Sequence, residues 1–72
     1  MNIFSERLRE LRINAGYTQQ QLAEKLNIKQ QSYARYELGS GEPNLETVAI
    51  ISKIFSVSTD YLLGIVDFEN YR

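Results

Sequence analysis

The chain contains no cysteine, no histidine, no tryptophan and a single proline. Without cysteine there is no disulfide framework of the kind that holds small secreted domains together, and neither a thiolate nucleophile nor a thiolate metal ligand. Without histidine there is no imidazole ligand, and the side chain most often used as a general base near neutral pH is missing. Most enzyme chemistry is lost with these two residue types, so neither catalysis nor a cofactor is expected. Ser5, Ser52 and Ser58 have no histidine to activate them, and Ser58 is better read as a helix cap. No apolar stretch approaches the roughly 20 residues that span a bilayer, and the N-terminus carries no cationic segment followed by an apolar run. A cytoplasmic protein with no membrane contact is expected. At 72 residues the chain has room for one core and no second domain. A domain of this size buries only about 60% of its unfolded surface, so compact helices or a partner chain must supply its stability.

Charge of one sign is also scarce. Eight Lys and Arg against nine Asp and Glu leave a net charge of −1, which looks wrong for a chain that meets nucleic acid. The balance changes when the chain is divided at Gly41. Residues 1–41 carry six basic residues (Arg7, Arg9, Arg12, Lys25, Lys29, Arg35) against four acidic ones (Glu6, Glu10, Glu24, Glu37), a balance of +2. Residues 42–72 carry Lys53 and Arg72 against Glu42, Glu46, Asp60, Asp67 and Glu69, a balance of −3. Such asymmetry is expected where one face meets phosphates and the other does not.

What is present is helical periodicity with caps. Phe4, Leu8, Leu11 and Ala15 form one apolar stripe, while Glu6, Arg7, Arg9, Glu10 and Arg12 read as a solvated face, and Gly16 stops this first helix. Thr18 and Gln21 form a capping box that opens a second helix through Leu22, Ala23 and Leu26, ending near Asn27. A third covers Gln30 to Leu38, with Tyr33 and Tyr36 facing inward and Gly39 as its stop. After the Ser40-Gly41-Glu42-Pro43 loop, Asn44 caps a fourth helix whose Leu45, Val48, Ile51, Ile54 and Phe55 make a broad apolar face. Ser58 caps a short fifth helix through Tyr61, Leu62 and Leu63, closed by Gly64. The fold class expected is all-α, a compact five-helix domain with no strand.

The informative stretch is Gln19 to Leu38, two helices joined by a three-residue turn. Ala23 supplies the small side chain that lets them cross closely, where Leu would wedge them apart. Asn27 is among the few non-glycine residues that readily take positive φ in such a turn. Leu22, Leu26, Ile28, Tyr33 and Tyr36 then close a shared apolar contact, which makes a helix-turn-helix unit. Glu37 would repel phosphate from the third helix, and is expected to pair with arginine or to cap local structure.

Five separated segments resemble the Xre family, the lambdoid phage repressor and Cro type of DNA-binding domain, in order and spacing: Phe4-Ser-Glu-Arg-Leu-Arg-Glu-Leu-Arg, Tyr17-Thr-Gln-Gln-Gln-Leu-Ala-Glu-Lys-Leu, Gln31-Ser-Tyr-Ala-Arg-Tyr-Glu, Pro43-Asn-Leu-Glu-Thr-Val and Val57-Ser-Thr-Asp-Tyr-Leu-Leu-Gly. The resemblance covers about residues 3–64. It implies that the helix at 30–38 enters the major groove with its N-terminal residues toward base edges. Lys29, Gln30 and Gln31 hold that position, with Arg35 one turn further along. Gln pairs bidentately with adenine, and Lys or Arg with guanine, each good pair discriminating by about 1–3 kcal/mol. Gln19 matches the family's backbone anchor, its amide and the nearby free N–H groups holding a phosphate, and Ser32 adds a hydroxyl contact. Many members have Ser or Thr where this chain has Lys29. The lysine gives up a cap of about 1 kcal/mol and sets positive charge against the positive end of the helix dipole, a broken local rule that points to DNA contact. Leu38, Ser40 and Gly41 stand where many members carry basic residues, so few phosphate contacts and a shallow salt dependence are expected.

The resemblance implies a transcriptional regulator of specific double-stranded DNA, a repressor reading a palindromic operator as a homodimer in a bacterium or phage. Residues 1–64 are expected to form the DNA-binding domain. Residues 65–72, with Ile65, Val66, Phe68 and Tyr71, are expected to be a dimer contact or a linker. Two related readings use the same helix: an antitoxin that also binds a partner toxin, and the controller protein of a restriction-modification system. An enzyme reading would need Asp67 and Glu69 to bind a metal from the tail.

Overall fold

A computed structural model describes residues 2–67 of the chain. Among them are five α-helices, α1 (Ile3–Asn14), α2 (Gln19–Lys25), α3 (Gln30–Leu38), α4 (Leu45–Phe55) and α5 (Thr59–Leu62), and no strand. Phe68 and Tyr71, two of the four apolar tail residues, lie outside the described residues, as does Glu69.

Local chemistry sets most helix boundaries. Asn2, Thr18, Asn44 and Ser58 each accept a hydrogen bond from a backbone N–H three residues on, at 2.8–3.0 Å, and so satisfy a donor that the helix itself leaves free. Thr18 and Gln21 complete the reciprocal box, the Thr18 N–H donating to Gln21 Oε1 at 2.9 Å. The start of α3 is the exception, since Lys29 makes no side-chain cap. Asn27 has φ of +57° between α2 and α3, as the turn requires. Gly64, after α5, has φ of +83°, and a Cβ there would lie 2.9 Å from Ile3 Cγ2, so only glycine lets the chain pass so close to α1.

The core gathers one or two side chains from every helix. Leu8, Leu22, Tyr33, Ile51 and Leu62 are wholly buried, with Leu11, Ala23, Leu26, Val48 and Val57 around them. Helix α3 packs against both α1 and α2, and α5 against α1 and α4, so α1 is the element shared by both halves. Ala23 is buried, and its helix α2 packs against α3. The buried Ser5 hydroxyl donates to the Tyr36 carbonyl at 2.6 Å, joining α1 to α3.

Three expectations are corrected. Ala15 does not continue the first apolar stripe: the helix stops at Asn14, and Ala15 is the exposed C-cap. Leu45 lies outside the α4 face and is 87% exposed. It is the first helical residue after the Asn44 cap, where the chain has only just entered the helix. The third correction concerns α1's polar surface. Arg7 and Arg12 are not a solvated face, for their side chains are only 16% and 14% exposed. Arg7 donates to the Tyr61 carbonyl, to the Val66 carbonyl at 2.7 Å and to Asp67 at 3.4 Å, and its guanidinium lies 4.1 Å from the centre of the Tyr61 ring. It fastens the end of α5 to α1.

Candidate nucleic-acid interface

The outward face of α3 follows from its inward one. Tyr33 and Glu37, four residues apart, are the buried pair of this helix, so Gln31, Ala34, Arg35 and Leu38 must lie on the opposite side. Lys29, Gln30, Gln31 and Arg35 are all exposed, and no other part of the described chain covers them. Ser32 and Ala34 are half-buried beside them. Gln30, Gln31 and Ala34 line an open concavity on this helix. Ala34 was not singled out in the sequence, although its place between two polar flanks at helical spacing was the available signal. Leu38, 68% exposed at the end of the same stripe, confirms that no basic side chain extends this face from that position.

Glu37 decides the electrostatics. It is the sole acidic residue of α3, and it is turned inward, 4% exposed, against Arg12 of α1. Arg12 Nε donates to Glu37 Oε2 at 2.6 Å and Nη2 to Oε1 at 3.1 Å, a two-bond fork of the kind carboxylates favour. The Tyr33 hydroxyl donates to the same carboxylate, and the Gln19 amide donates to Oε1 at 3.1 Å. A third Arg12 bond, from Nη1 to the Tyr17 carbonyl at 3.0 Å, ties the chain entering α2 to this centre. No buried side-chain donor or acceptor is left without a partner among the described residues. The expected pairing of Glu37 with arginine is therefore present, and its burial is the addition. The signal for it was its spacing of four from the inward-facing Tyr33.

This arrangement shifts three titrations. Burial alone would push the Glu37 carboxyl up, but the donors from Arg12, Tyr33 and Gln19 outweigh it and hold the group below its ordinary value. Burial, reinforced by the Glu37 carboxylate, pushes the Tyr33 phenol far above its usual range. The hydrogen bond to Glu37 raises Arg12 further, against its desolvation, so the guanidinium stays charged. The outer face of α3 is left with Lys29 and Arg35 as its only formal charges, both positive.

Gln19 stands apart from the other anticipated residues. It opens α2 and is half-buried, and its amide is bound to Glu37 in the last turn of α3, whereas Lys29, Gln30 and Gln31 lie at that helix's start. The structure thus brings together Lys29, Gln30, Gln31, Ser32 and Arg35 on one helix, and links Gln19 to that helix from behind. Asp67 is engaged with Arg7, and no cluster of three metal-ligating side chains occurs among the described residues. No helix is long and apolar enough to cross a membrane among those residues.

Residues 8–62 match the helix-turn-helix family. The chain is similar to the SPbeta prophage-derived HTH-type transcriptional regulator YonR of Bacillus subtilis, 48% identical over 61 residues that cover 85% of this chain and 56% of that protein. It is similar also to the HTH-type transcriptional regulator ImmR of the same species, 48% identical over 59 residues covering 82% of this chain and 46% of that one. The chain therefore spans about half the length of the curated relatives it matches. Among solved structures, a transcriptional regulator from Listeria innocua superposes with a TM-score of 0.83 at 32% identity, covering 96% of this chain and 64% of that one. Five helices in the order expected, a positive-φ turn at Asn27 and these matches together make the chain a member of the Xre-type helix-turn-helix family.

Proposed function

We propose that the chain binds specific double-stranded DNA and regulates transcription, with α3 in the major groove. The observation that carries this reading is the outward face of α3: an exposed row of Lys29, Gln30, Gln31 and Arg35 from which the helix's one carboxylate has been withdrawn and neutralised. Gln and Arg or Lys have the donor geometry to discriminate bases in that groove, and a free carboxylate beside them would repel the flanking phosphates. In this reading Lys29, Gln30, Gln31 and Arg35 meet base edges, Ser32 adds a hydroxyl contact, and Gln19 holds a phosphate. Lys29 makes no cap, in keeping with a side chain directed to DNA.

One recognition helix reads only a few base pairs. Two copies about 34 Å apart would read a palindrome, and an operator bound in this way across a promoter would be repressed. Residues 1–64 would make the DNA contact, and 65–72 would serve as a dimer contact or a linker. Ile65 is exposed, while Val66 is half-buried with its carbonyl held by Arg7.

The test is selection of bound sequences from random duplex DNA. Enrichment of one motif is expected, arranged as an inverted repeat, with binding to it weakened by Gln30→Ala and by Arg35→Ala. Recovery of no motif after repeated rounds would sink the reading.

A further inference from the structure

We infer that Glu37 is a positioning residue for DNA binding, acting through the side-chain amide of Gln19. The inference rests on the reading above, in which Gln19 holds a phosphate. A primary amide has two chemically opposite ends, and only the nitrogen end attracts a phosphate oxygen. Nothing in an isolated glutamine decides which end faces outward.

Here the choice is made by Glu37. Its Oε1 lies 3.1 Å from Gln19 Nε2, and a reversed amide would set the glutamine oxygen against a carboxylate oxygen. The carboxylate is saturated: Oε1 accepts from Arg12 Nη2 and Gln19 Nε2, and Oε2 accepts from Arg12 Nε and the Tyr33 hydroxyl. Four donors on a group with about four acceptor positions leave the amide no alternative arrangement. One Nε2 hydrogen is held inward, and the second has no partner among the described residues.

A carboxylate so near a phosphate contact would normally weaken it. Arg12, on the same two oxygens, cancels that charge, and through the Tyr17 carbonyl it also holds the chain just before Thr18 and Gln19. A purely stabilising ion pair needs Arg12 and Tyr33 on Glu37. It has no need of a half-exposed glutamine as fourth donor.

The decisive experiment is a coupling cycle read as dissociation constants for a labelled duplex recovered by the selection described above. Because a lone change in the pair would strand a buried charge, Arg12 and Glu37 are both replaced by Met, an exchange that buried pairs often tolerate. Gln19→Ala is expected to weaken binding about ten-fold, the size of one hydrogen bond to a charged group. The Arg12→Met/Glu37→Met variant should lose a similar factor, and the triple variant should bind no more weakly than Gln19→Ala alone. Losses that multiply in the triple variant would overturn the positioning role while leaving the phosphate contact intact. If Gln19→Ala binds like the wild type, the phosphate contact falls and the positioning role with it.

A measurement on the unaltered protein guards against a variant that does not fold. In NMR spectra of the free protein, one Gln19 side-chain amide proton should exchange slowly and its partner rapidly, and the fast one should shift on adding the duplex. Two equally fast protons would refute the orientation.

Discussion

In the half of the molecule built from α1, α2 and α3, a guanidinium, a phenol and an amide converge on one carboxylate, and every bond has a direction. In the half built from α4 and α5, Val48, Ile51, Val57 and Leu62 pack without regard to direction, and Arg7 reaches across from α1 to carbonyls at Tyr61 and Val66. Both arginines belong to one helix, five residues apart. Arg12 meets a buried charge, whereas the one acid Arg7 touches, Asp67, is fully exposed. The difference separates what each half must do. Apolar packing keeps a helix in place but tolerates small rotations, while four directional bonds on the Glu37 carboxylate resist rotation of α3.

The largest test of this contrast is removal of one charge from the buried centre. Arg12→Met alone is expected to cost about 3–5 kcal/mol in urea unfolding, because it leaves Glu37 buried and uncompensated. Arg12→Met combined with Glu37→Met should recover most of that loss. If the single and double variants unfold alike, the centre is not the buried ion pair described here.

On the other side, Ile51→Ala should cost about 2–5 kcal/mol through lost burial and the cavity left behind, and no second substitution on α3 should restore it. A value under about 0.5 kcal/mol would place Ile51 at the surface instead of the wholly buried position it occupies.

Much of this was legible in advance, and the boundary between legible and hidden is one of distance along the chain. Caps and positive-φ residues act within three or four residues, so Thr18, Asn27, Asn44, Ser58 and Gly64 could be read directly. So could the outward placement of Gln31 and Arg35, because periodicity assigns faces within a helix, whereas Gln30, three residues before Tyr33, is exposed because it is the first residue of α3. Arg12 and Glu37 are 25 residues apart, and Arg7 meets Tyr61 and Val66 at separations of 54 and 59, so nothing local marks these arginines as buried. An arginine on the polar side of an amphipathic helix looks the same whether it faces water or a distant carboxylate. The Gln19–Glu37 bond was hidden for the same reason, whereas Leu45 misled because its apolar character was read without its position at the first helical residue.

A smaller effect separates the halves by pH. Glu37 is held below its ordinary value of 4.5, so its contribution is present above that pH and fades as pH falls through the lower folded value. Tyr33 is raised above its ordinary 10.0, so its contribution is present below that pH and is lost as pH rises beyond it. Stability followed by thermal unfolding should therefore be level between about pH 5 and 10 and fall at both ends. The Arg12→Met/Glu37→Met variant should lose much of the acid limb, and Ile51→Ala should keep both. An acid limb unchanged in the pair variant would assign it to other carboxylates.

The smallest expected change runs in the opposite direction. Lys29→Ser supplies the missing cap of α3 and should raise stability by about 1 kcal/mol while weakening DNA binding. Equal affinity for the selected duplex at several salt concentrations would show that the lysine has no part in binding.

The inward turn of Glu37 has a consequence for how the domain meets a polyanion. With a net charge of −1 and its acidic residues concentrated beyond Gly41, the molecule offers DNA no general attraction. On α3 the exposed formal charges are Lys29 and Arg35 alone, a small cationic window felt over about 8 Å at physiological ionic strength. In the proposed reading, a polyanion that approaches α3 meets only positive charge there, whereas an outward Glu37 would oppose it, so the inward turn that anchors the helix also favours the aligned encounter.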